Sequence, residues 1–491
     1  MDINRFKRPT RFQTKLFING QFVDGVKKTT ISIYNPSTED KICDIAEATE
    51  QDVELAIDAA TNAFSKWKNT TTRERCLLIN KLADLIEKNL DELVSLESLD
   101  NGKPLYASLS DITEVVNNLR YYAGWADKTT GKSYSSQDNT LFYTRREPFG
   151  VVGLISPWNF PLLMCEWKFA PALAAGNCLV HKPSEETPLT ILRVAELINE
   201  AGFPPGVFNI VPGYGNIAGE ALSRSRKVGK ISFTGSTIVG RKVMEASAQS
   251  NLKKVTLELG GKTPVVVCPS ADLDQAVAIA WNAIMYNMGQ CCIAGSRLFV
   301  HESIYNEFLN RLKAINSNVK IGDAFEGSNH GPQINKVQFN KILGFIEHAK
   351  TQESCQLLIG GNRYGNKGYF IEPTIFCNVD DNSKIASEEI FGPVLAILKP
   401  WKSLDEVIKR ANNTNYGLAG IVLSKDMSVC DRLVRDIQAG TIFVNNYCIP
   451  KSYIPFGGYK ESGFGKDNGE EGMLEYTQVK AVYYQFDEPK I

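Results

Sequence analysis

Apolar residues recur every three to four positions through two long stretches near the start of the chain. These stretches are residues 50–67 (EQDVELAIDAATNAFSKW) and 73–100 (RERCLLINKLADLIEKNLDELVSLESLD). This spacing is that of one face of an α-helix, so the pattern predicts a helical region from about residue 50 to residue 125. A strand-like segment, KLFINGQFV, precedes it.

From residue 149 the pattern changes to short apolar runs that alternate with amphipathic stretches. The runs GVVGLIS, NCLVHKP, VFNIVPG and KISFTG predict buried strands, each followed by a helical pattern. A second series begins at KTPVVVC, with DLDQAVAIAWNAIMYNM and ESIYNEFLNRLKAIN as its helices. Alternation of this kind predicts parallel, doubly wound α/β sheets.

Composition and charge narrow the possible partners. The 491 residues include 54 basic and 55 acidic side chains, for a net charge of -1. This length predicts two or three domains, and the balanced charge favours small molecules or other subunits over nucleic acid or membranes. The eleven cysteines lie scattered, without paired or metal-like spacing, and predict a reducing, cytoplasmic setting with no metal site.

Two adjacent cysteines, Cys291 and Cys292 in NMGQCCIAGSR, are candidates for a nucleophile because they follow a helical run among glycines. Small core residues are the alternative interpretation. None of the four histidines lies in a segment typical of a catalytic base, so a carboxylate is the other candidate. Glu258 in VTLELGGKTP lies inside an apolar strand, where it must be paired or have a raised pKa.

Three further polar or glycine-rich segments follow predicted strands. Asn159 in SPWNFP could donate its side-chain amide to developing negative charge, or could serve as a helix cap. The clusters GYGNIAG (Gly213, Gly215, Gly219) and FTGSTIVG (Gly235, Gly240) are suited to a pyrophosphate at a helix start, or are plain turns.

Seven motifs follow one another along the chain, some of them introduced above: SPWNFP, HKPSEETP, FTGS, LELGGK, GQCCIAGSR, EEIFGPV and PFGGYKESGFG. The order and approximate spacing resemble those of the aldehyde dehydrogenase superfamily, and FING and EYTQVK extend the match over nearly the whole chain. The chain is most similar to the broad-specificity and betaine-aldehyde group of tetrameric NAD enzymes.

The resemblance implies an α/β fold of two doubly wound parallel-sheet domains and a β-ribbon oligomerisation arm. Residues 1–129 and 149–259 would form the NAD-binding Rossmann-like domain, and residues 260–460 the catalytic domain. Residues 130–148 and 461–491 would form the arm, whose segments TLFYTRREP and KAVYYQF alternate like strands that pair across subunits. A homotetramer is expected, with a dimer as the alternative.

The resemblance also implies the chemistry. Cys292 would attack the aldehyde carbonyl to give a thiohemiacetal, whose oxyanion the Asn159 amide and the Cys292 backbone N–H would hold. Hydride transfer to the nicotinamide would leave a thioester, and Glu258 would activate the water that hydrolyses it.

The cofactor and acyl positions carry over in the same way. The residues expected at NAD are Lys182 and Glu185 at the adenosine ribose, Ser236 with Gly215 and Gly235 at the pyrophosphate, Trp158 beside the cofactor, and Glu389 and Phe391 at the nicotinamide ribose. The residues expected at the acyl pocket are Phe160, Met164, Trp167, Tyr286 and Phe456. Cys448 and Pro450 depart from the Asp and Phe of the broad-specificity enzymes, and Glu166 and Lys451 are expected near the pocket entrance.

The function predicted is NAD-dependent oxidation of an aldehyde to the carboxylic acid. Three alternatives stay open: a betaine-aldehyde or aminoaldehyde dehydrogenase, a CoA-acylating dehydrogenase, and a structural lens-type protein that has lost activity. The glutamate Glu258 argues against the second alternative, and the presence of Cys292, Glu258, Asn159, Lys182 and Glu389 argues against the third.

Overall fold

Helices and short strands make up the first 148 residues. The computed structural model describes residues 2–135, 139–447 and 450–487. The elements of this first part are strands β1 (Leu16–Ile18), β2 (Gln21–Val23), β3 (Thr30–Tyr34) and β4 (Lys41–Ala46), helices α1 (Glu50–Trp67), α2 (Thr72–Lys88), α3 (Leu90–Asn101) and α4 (Leu105–Ala123), and strands β5 (Ser133–Tyr134) and β6 (Thr140–Pro148).

The helix starts follow from local chemistry. Thr49 and Thr71 each cap a helix, and the acidic residue three positions later bonds back to the cap in a capping box. The continuous pattern over residues 73–100 forms two helices, because Asn89 ends α2 and its side-chain amide donates to the Leu85 carbonyl at 2.7 Å.

The middle of the chain alternates strands and helices as predicted. Its elements are β7 (Val151–Ile155), α5 (Pro161–Ala174), β8 (Cys178–Lys182), α6 (Leu189–Ala201), β9 (Phe208–Ile210), α7 (Glu220–Arg224), β10 (Lys230–Thr234), α8 (Thr237–Gln249) and β11 (Lys254–Glu258). The five strands are parallel and lie in the order β9-β8-β7-β10-β11. The strand order therefore reverses direction between β7 and β10, where ligands bind in open sheets of this kind.

The last part of the chain builds a second sheet. Its elements are β12 (Pro264–Val267), α9 (Leu273–Met285), β13 (Arg297–Val300), α10 (Tyr305–Ile315), α11 (Lys336–Lys350), β14 (Gln356–Ile359), β15 (Thr374–Val379), α12 (Lys384–Ser387), β16 (Val394–Leu398), α13 (Leu404–Asn412), β17 (Tyr416–Gly417), β18 (Ala419–Leu423), α14 (Met427–Asp436), β19 (Thr441–Val444), β20 (Tyr459–Lys460), β21 (Gly463–Phe464), α15 (Gly469–Leu474) and β22 (Thr477–Gln485). The order is β14-β15-β16-β13-β12-β18-β19, and only the β14–β15 pair is antiparallel.

The two large sheets meet near residue 260. Strand β21 pairs antiparallel with β11 and completes an eight-stranded first sheet, β2-β1-β9-β8-β7-β10-β11-β21. The Ser462 hydroxyl donates to the Gly260 carbonyl at 2.6 Å, which fastens the chain just after β11. The prediction of parallel, doubly wound α/β sheets is confirmed.

A separate three-stranded sheet, β22-β6-β5, stands apart from the two large ones. Strands β6 and β22 pair antiparallel over nine residues, from Thr477 opposite Pro148 to Gln485 opposite Thr140. Aromatic pairs run across this ladder, with the Phe142 and Tyr483 ring centroids 5.2 Å apart. β22 forms the outer edge, and its Tyr483 is 76% exposed.

No helix among the described residues is long and apolar enough to cross a lipid bilayer. Within the same part of the chain, no three His, Cys, Asp or Glu side chains form a group that could hold a metal ion.

Candidate active site

Several predicted site residues lie at the carboxyl ends of the strands of the first sheet. Trp158 and Asn159 follow β7, Lys182 ends β8, Ser236 follows β10, and Glu258 ends β11. Because β7, β8, β10 and β11 are parallel, their carboxyl ends open on the same side. The reversal of strand order between β7 and β10 leaves a crevice there.

The cysteine pair reaches this crevice through an unusual turn. Helix α9 ends at Met285, and Asn287, Met288 and Gly289 all adopt left-handed backbone angles, with φ of 49°, 55° and 71°. A Cβ on Gly289 would lie 2.0 Å from the Gly392 carbonyl oxygen. Only glycine fits this position, and the turn directs the next residues towards β11.

Buried amides fix the position of Asn159. The Asn287 side chain donates to the Asn159 carbonyl at 2.9 Å, and the Asn159 side-chain nitrogen donates to the Gln290 carbonyl at 3.1 Å. A primary amide carries two N–H donors, so the second remains for a ligand in the crevice that Asn159 lines. The carboxamide is thereby held, before any substrate arrives, beside the loop that carries Cys291 and Cys292, here called the cysteine loop.

The cysteine loop presses against the end of β11. A Cβ on Gly261 would lie 2.2 Å from the Cys292 carbonyl oxygen, so the two backbones are in close contact. Cys292 and Glu258 line the same cavity, of about 140 Å³. The Glu258 carboxylate is buried, and the Cys292 thiol is one of the side-chain donors that face it.

The environment of Glu258 suits a general base. Burial raises the pKa of its carboxyl to about 7, although the buried Lys168 ammonium lowers it in part. Lys168 itself is paired with Asp467, whose carboxylate lies 3.0 Å away. A carboxyl with a pKa near neutrality exchanges protons readily at physiological pH.

The two cysteines differ in their surroundings. The neighbouring Cys291 thiol, burial and the Glu258 carboxylate together raise the pKa of Cys292 well above its usual value. The Cys291 sulfur accepts a hydrogen bond from the Tyr447 hydroxyl at 3.7 Å. Both cysteines line the larger cavity described below, but of the two only Cys292 also lines the crevice that contains Glu258.

Cys292 also borders a second, larger cavity of about 290 Å³. All five residues predicted for the acyl pocket line it. The others are Ser110, Glu114, Leu163, Asn282, Cys291, Ile293, Tyr447, Pro450 and Lys451. Most are apolar or aromatic, as is typical of a small-molecule site. Sequence reasoning missed Ser110, Glu114 and Asn282, because they lie on α4 and α9 outside the seven motifs. Cys448 lies outside the described residues.

A buried ion pair supports the walls of this acyl cavity. Lys103 and Asp111 are fully buried and 2.7 Å apart. The Lys103 ammonium lies 4.5 Å from the centre of the Phe160 ring, and the Tyr286 hydroxyl donates to Asp111 at 3.3 Å. Phe160 and Tyr286 stack on each other, with centroids 6.1 Å apart. The two charges thus hold two of the wall rings in place.

The expectation that Glu166 lies near the entrance is wrong. Every residue of α5 is buried, and Glu166 has no exposed surface. Its carboxylate accepts from the Asn118 side-chain amide at 2.9 Å, and burial raises its pKa well above the usual range. Lys451 does line the cavity, and its partner there is Glu114, at 2.9 Å.

The crevice has features that fit a dinucleotide. Gly235 and Ser236 line it at the start of the thirteen-residue helix α8, and the Ser236 hydroxyl caps the Val239 N–H. The hydroxyl of Thr234, buried at the end of β10, has no hydrogen-bond partner among the described residues. A helix N-terminus with hydroxyls beside it suits a pyrophosphate.

The remaining cofactor candidates divide into two groups. Lys182, Glu185 and Gly215 are not among the residues that line the crevice. The Lys182 ammonium donates to Glu185 at 3.0 Å, and its stem packs near Gly219 at the end of the turn Gly215–Gly219. Trp158, Glu389 and Phe391 do line the crevice, and Glu389 accepts from the Gly261 N–H at 2.9 Å. The rings of Trp158 and Phe391 meet edge to face, with centroids 5.3 Å apart.

Comparison with known proteins identifies the family of this chain. The family model described as "Aldehyde dehydrogenase family" matches residues 22–482. The chain belongs to the aldehyde dehydrogenase family. The recognition made from seven motifs is therefore confirmed, and so is the prediction of an enzyme of this family.

Individual aldehyde dehydrogenases match along nearly their whole length. An aldehyde dehydrogenase of Agaricus bisporus is 50% identical and covers 97% of this chain and 96% of its own. A mitochondrial aldehyde dehydrogenase of Sus scrofa is 51% identical, with 97% and 92% covered. The NAD+ complex structure of a Bacillus cereus aldehyde dehydrogenase is 46% identical, with 96% and 97% covered and a TM-score of 0.95.

Replacing Gly289 with alanine should displace the cysteine loop. The new methyl group would collide with the Gly392 carbonyl, and a misplacement of about 1 Å near the reacting atoms costs on the order of a hundredfold in kcat. The matched control is Gly344→Ala on α11, where nothing lies within 4 Å of the added carbon. Steady-state assays in which both variants keep full activity would contradict this account of the turn.

Asp111→Asn should destabilise the protein by about 3 to 5 kcal/mol, because the buried Lys103 ammonium loses its counter-charge. Urea unfolding measures the loss. Asp274→Asn is the control, since its ion pair with Arg311 is exposed and worth about 1 kcal/mol or less. Equal effects of the two substitutions would show that the buried pair does not support the walls of the acyl cavity.

Proposed function

We propose that this aldehyde dehydrogenase oxidises an aldehyde to the carboxylic acid through a thioester on Cys292, with NAD as its expected cofactor. One observation carries the proposal: Cys292 lines both the apolar acyl cavity and the crevice that contains Asn159 and Glu258. A carbon atom at this junction is within reach of the thiol, of the Asn159 amide and of the Glu258 carboxylate. These are the parts that acyl chemistry on a cysteine requires.

The proposed reaction begins when the Cys292 thiol gives its proton to water and its sulfur bonds to the aldehyde carbon. The carbonyl oxygen becomes an oxyanion, which the second N–H of the Asn159 amide and the Cys292 backbone N–H stabilise. The oxyanion then collapses to a thioester as the carbon gives up its hydride, for which NAD held in the crevice would supply the acceptor. Glu258 takes a proton from water, the hydroxide attacks the thioester to release the acid, and Glu258 returns the proton to the departing Cys292 sulfur.

Three groups of residues would hold three parts of the cofactor. Lys182 and Glu185 would bind the adenosine ribose. Ser236, with Gly215 and Gly235, would bind the pyrophosphate at the N-terminus of α8. Glu389 and Phe391 would bind the nicotinamide ribose and Trp158 would lie beside the cofactor, in the cavity that Cys292 also lines.

A cationic aldehyde is the second candidate substrate. The rings of Phe160, Trp167, Tyr286, Tyr447 and Phe456 line the acyl cavity, and aromatic faces attract ammonium groups. This observation favours a betaine-aldehyde or aminoaldehyde dehydrogenase. The rate of NADH formation with a panel of neutral and cationic aldehydes distinguishes an enzyme for neutral aldehydes from one for cationic aldehydes.

We also propose the domain boundaries that the resemblance implies. Residues 1–129 and 149–259 would form the cofactor domain, residues 260–460 the catalytic domain, and residues 130–148 and 461–491 the arm. Strands β6 and β22 would form the oligomerisation arm of a homotetramer, and the exposed edge of β22 supports this role. A cytoplasmic location stays a prediction from the cysteine usage.

Cys292→Ala should abolish dehydrogenase activity, by a factor on the order of 10⁴ or more, because no nucleophile remains. Cys291→Ala should keep most of the activity, since Cys291 lacks the junction position of its neighbour. Formation of NADH from an aldehyde and NAD measures both. The reverse result would overturn the assignment of the nucleophile.

Glu258→Gln should form the thioester but hydrolyse it very slowly. A rapid burst of NADH followed by almost no turnover is the expected trace. In the unaltered protein, turnover should fall as the pH drops below about 7, because the protonated carboxyl cannot accept a proton from water. Glu347→Gln, exposed on α11, is the control. Loss of the burst itself, with NAD still bound, would mean that Glu258 acts on Cys292 earlier.

The cofactor preference should be for NAD over NADP by about tenfold to a hundredfold in kcat/KM. The Glu185 carboxylate would repel a 2′-phosphate, while the Lys182 ammonium beside it offsets part of that repulsion. Glu185→Gln should narrow the preference. Comparable kcat/KM values for the two cofactors in the unaltered protein would contradict selection by Glu185.

A further inference from the structure

The solvent end of the acyl cavity can be located from exposure. Phe160, Met164 and Trp167 are buried, whereas Ser110, Asn282 and Lys451 are exposed although they line the same cavity. The exposed group therefore marks the mouth. Glu114 lies one helical turn after Ser110 on α4, so both side chains project from the same face of the helix.

Two residues of opposite charge face each other at this mouth. The Lys451 ammonium donates to the Glu114 carboxylate at 2.9 Å and joins α4 to the segment after β19. The Glu114 side chain is 19% exposed and that of Lys451 is 45% exposed. Among the described lining residues, Glu114 and Lys451 alone are an acid and a base of the Asp, Glu, Lys and Arg types. The mouth therefore carries two charges that cancel.

We propose that the Glu114–Lys451 pair is a charge filter that makes this site favour uncharged aldehydes. The inference rests on the proposed function, and it names the substrate class for the acyl cavity. A neutral aldehyde passes the pair without disturbing it. An aldehyde with an ammonium group at its far end must compete with Lys451 for Glu114 and meets the lysine as a like charge. An aldehyde with a carboxylate meets the mirror-image obstacle.

The filter should be modest in size, because a half-exposed ion pair is screened by water and salt. Discrimination of about fivefold to tenfold in kcat/KM against each charged class is the expected range. It should act mainly through KM, because the pair lies at the mouth and the reacting atoms lie at Cys292.

The test compares three aldehydes of matched length: hexanal, an aldehyde with an ω-trimethylammonium group, and one with an ω-carboxylate. The unaltered protein should have its highest kcat/KM with hexanal. Lys451→Met leaves the Glu114 carboxylate alone and should raise the ratio of cationic to neutral kcat/KM about tenfold, while the anionic ratio falls. Glu114→Gln should do the opposite.

Two further variants separate the filter from a structural role of the pair. The double variant Glu114→Gln with Lys451→Met should show neither charge preference, because no charge remains at the mouth. Lys425→Met removes a lysine from an exposed ion pair with Asp272, outside the acyl cavity, and should leave all ratios unchanged. The shifts in the single variants should shrink at high ionic strength.

The outcomes are distinguishable. The proposal is overturned if each single variant changes all three aldehydes in the same proportion, as loss of a purely structural link would do. It is equally overturned if the unaltered protein prefers the cationic aldehyde. If the unaltered protein oxidises none of the three, the proposed function itself fails. Opposite shifts in the two single variants support the filter.

Discussion

The close contact between the cysteine loop and the end of β11 is the constraint on which the rest of the site depends. The Cys292 carbonyl approaches Gly261 so closely that a side chain there would overlap it. This contact brings the segment before β13 against the edge of the first sheet. The nucleophile from one sheet therefore faces the carboxylate and amide that the other sheet supplies, and neither sheet contains a complete site.

Burial gives these few polar groups their chemical character. Burial of Glu258 in a region of low dielectric constant raises its pKa to about 7, although the positive charge of Lys168 lowers it in part. Lys168 is in turn paired with Asp467. The pair Lys103–Asp111 serves the other cavity in a different way, because it fixes aromatic rings instead of shifting a proton. Buried charge thus tunes one cavity and shapes the other.

Local sequence patterns predicted most of the elements and the strand ends that carry Asn159, Lys182, Ser236 and Glu258. Apolar runs indicate buried strands and glycines indicate turns, so the sequence alone was enough to predict these positions. The break at Asn89 did not, because the apolar period continues across it.

Contacts between distant segments were beyond reach of the sequence. Lys103 and Asp111 look like ordinary surface charges, since nothing in their neighbourhood shows that helices enclose them. Glu166, expected near the entrance, lies instead inside a fully buried helix. The available signal was the apolar character of α5 all the way round, which is typical of a helix enclosed on every side.

The meeting of two cavities at one sulfur atom has a consequence for how such an enzyme can diversify. The crevice is built from the ends of β7, β10 and β11, whereas the acyl cavity draws on α4, α9 and the segment after β19. Substitutions in the second group can change which molecules enter while the first group stays intact. New substrate specificities can therefore evolve through single substitutions in the acyl cavity, while the crevice expected to hold the cofactor keeps its residues.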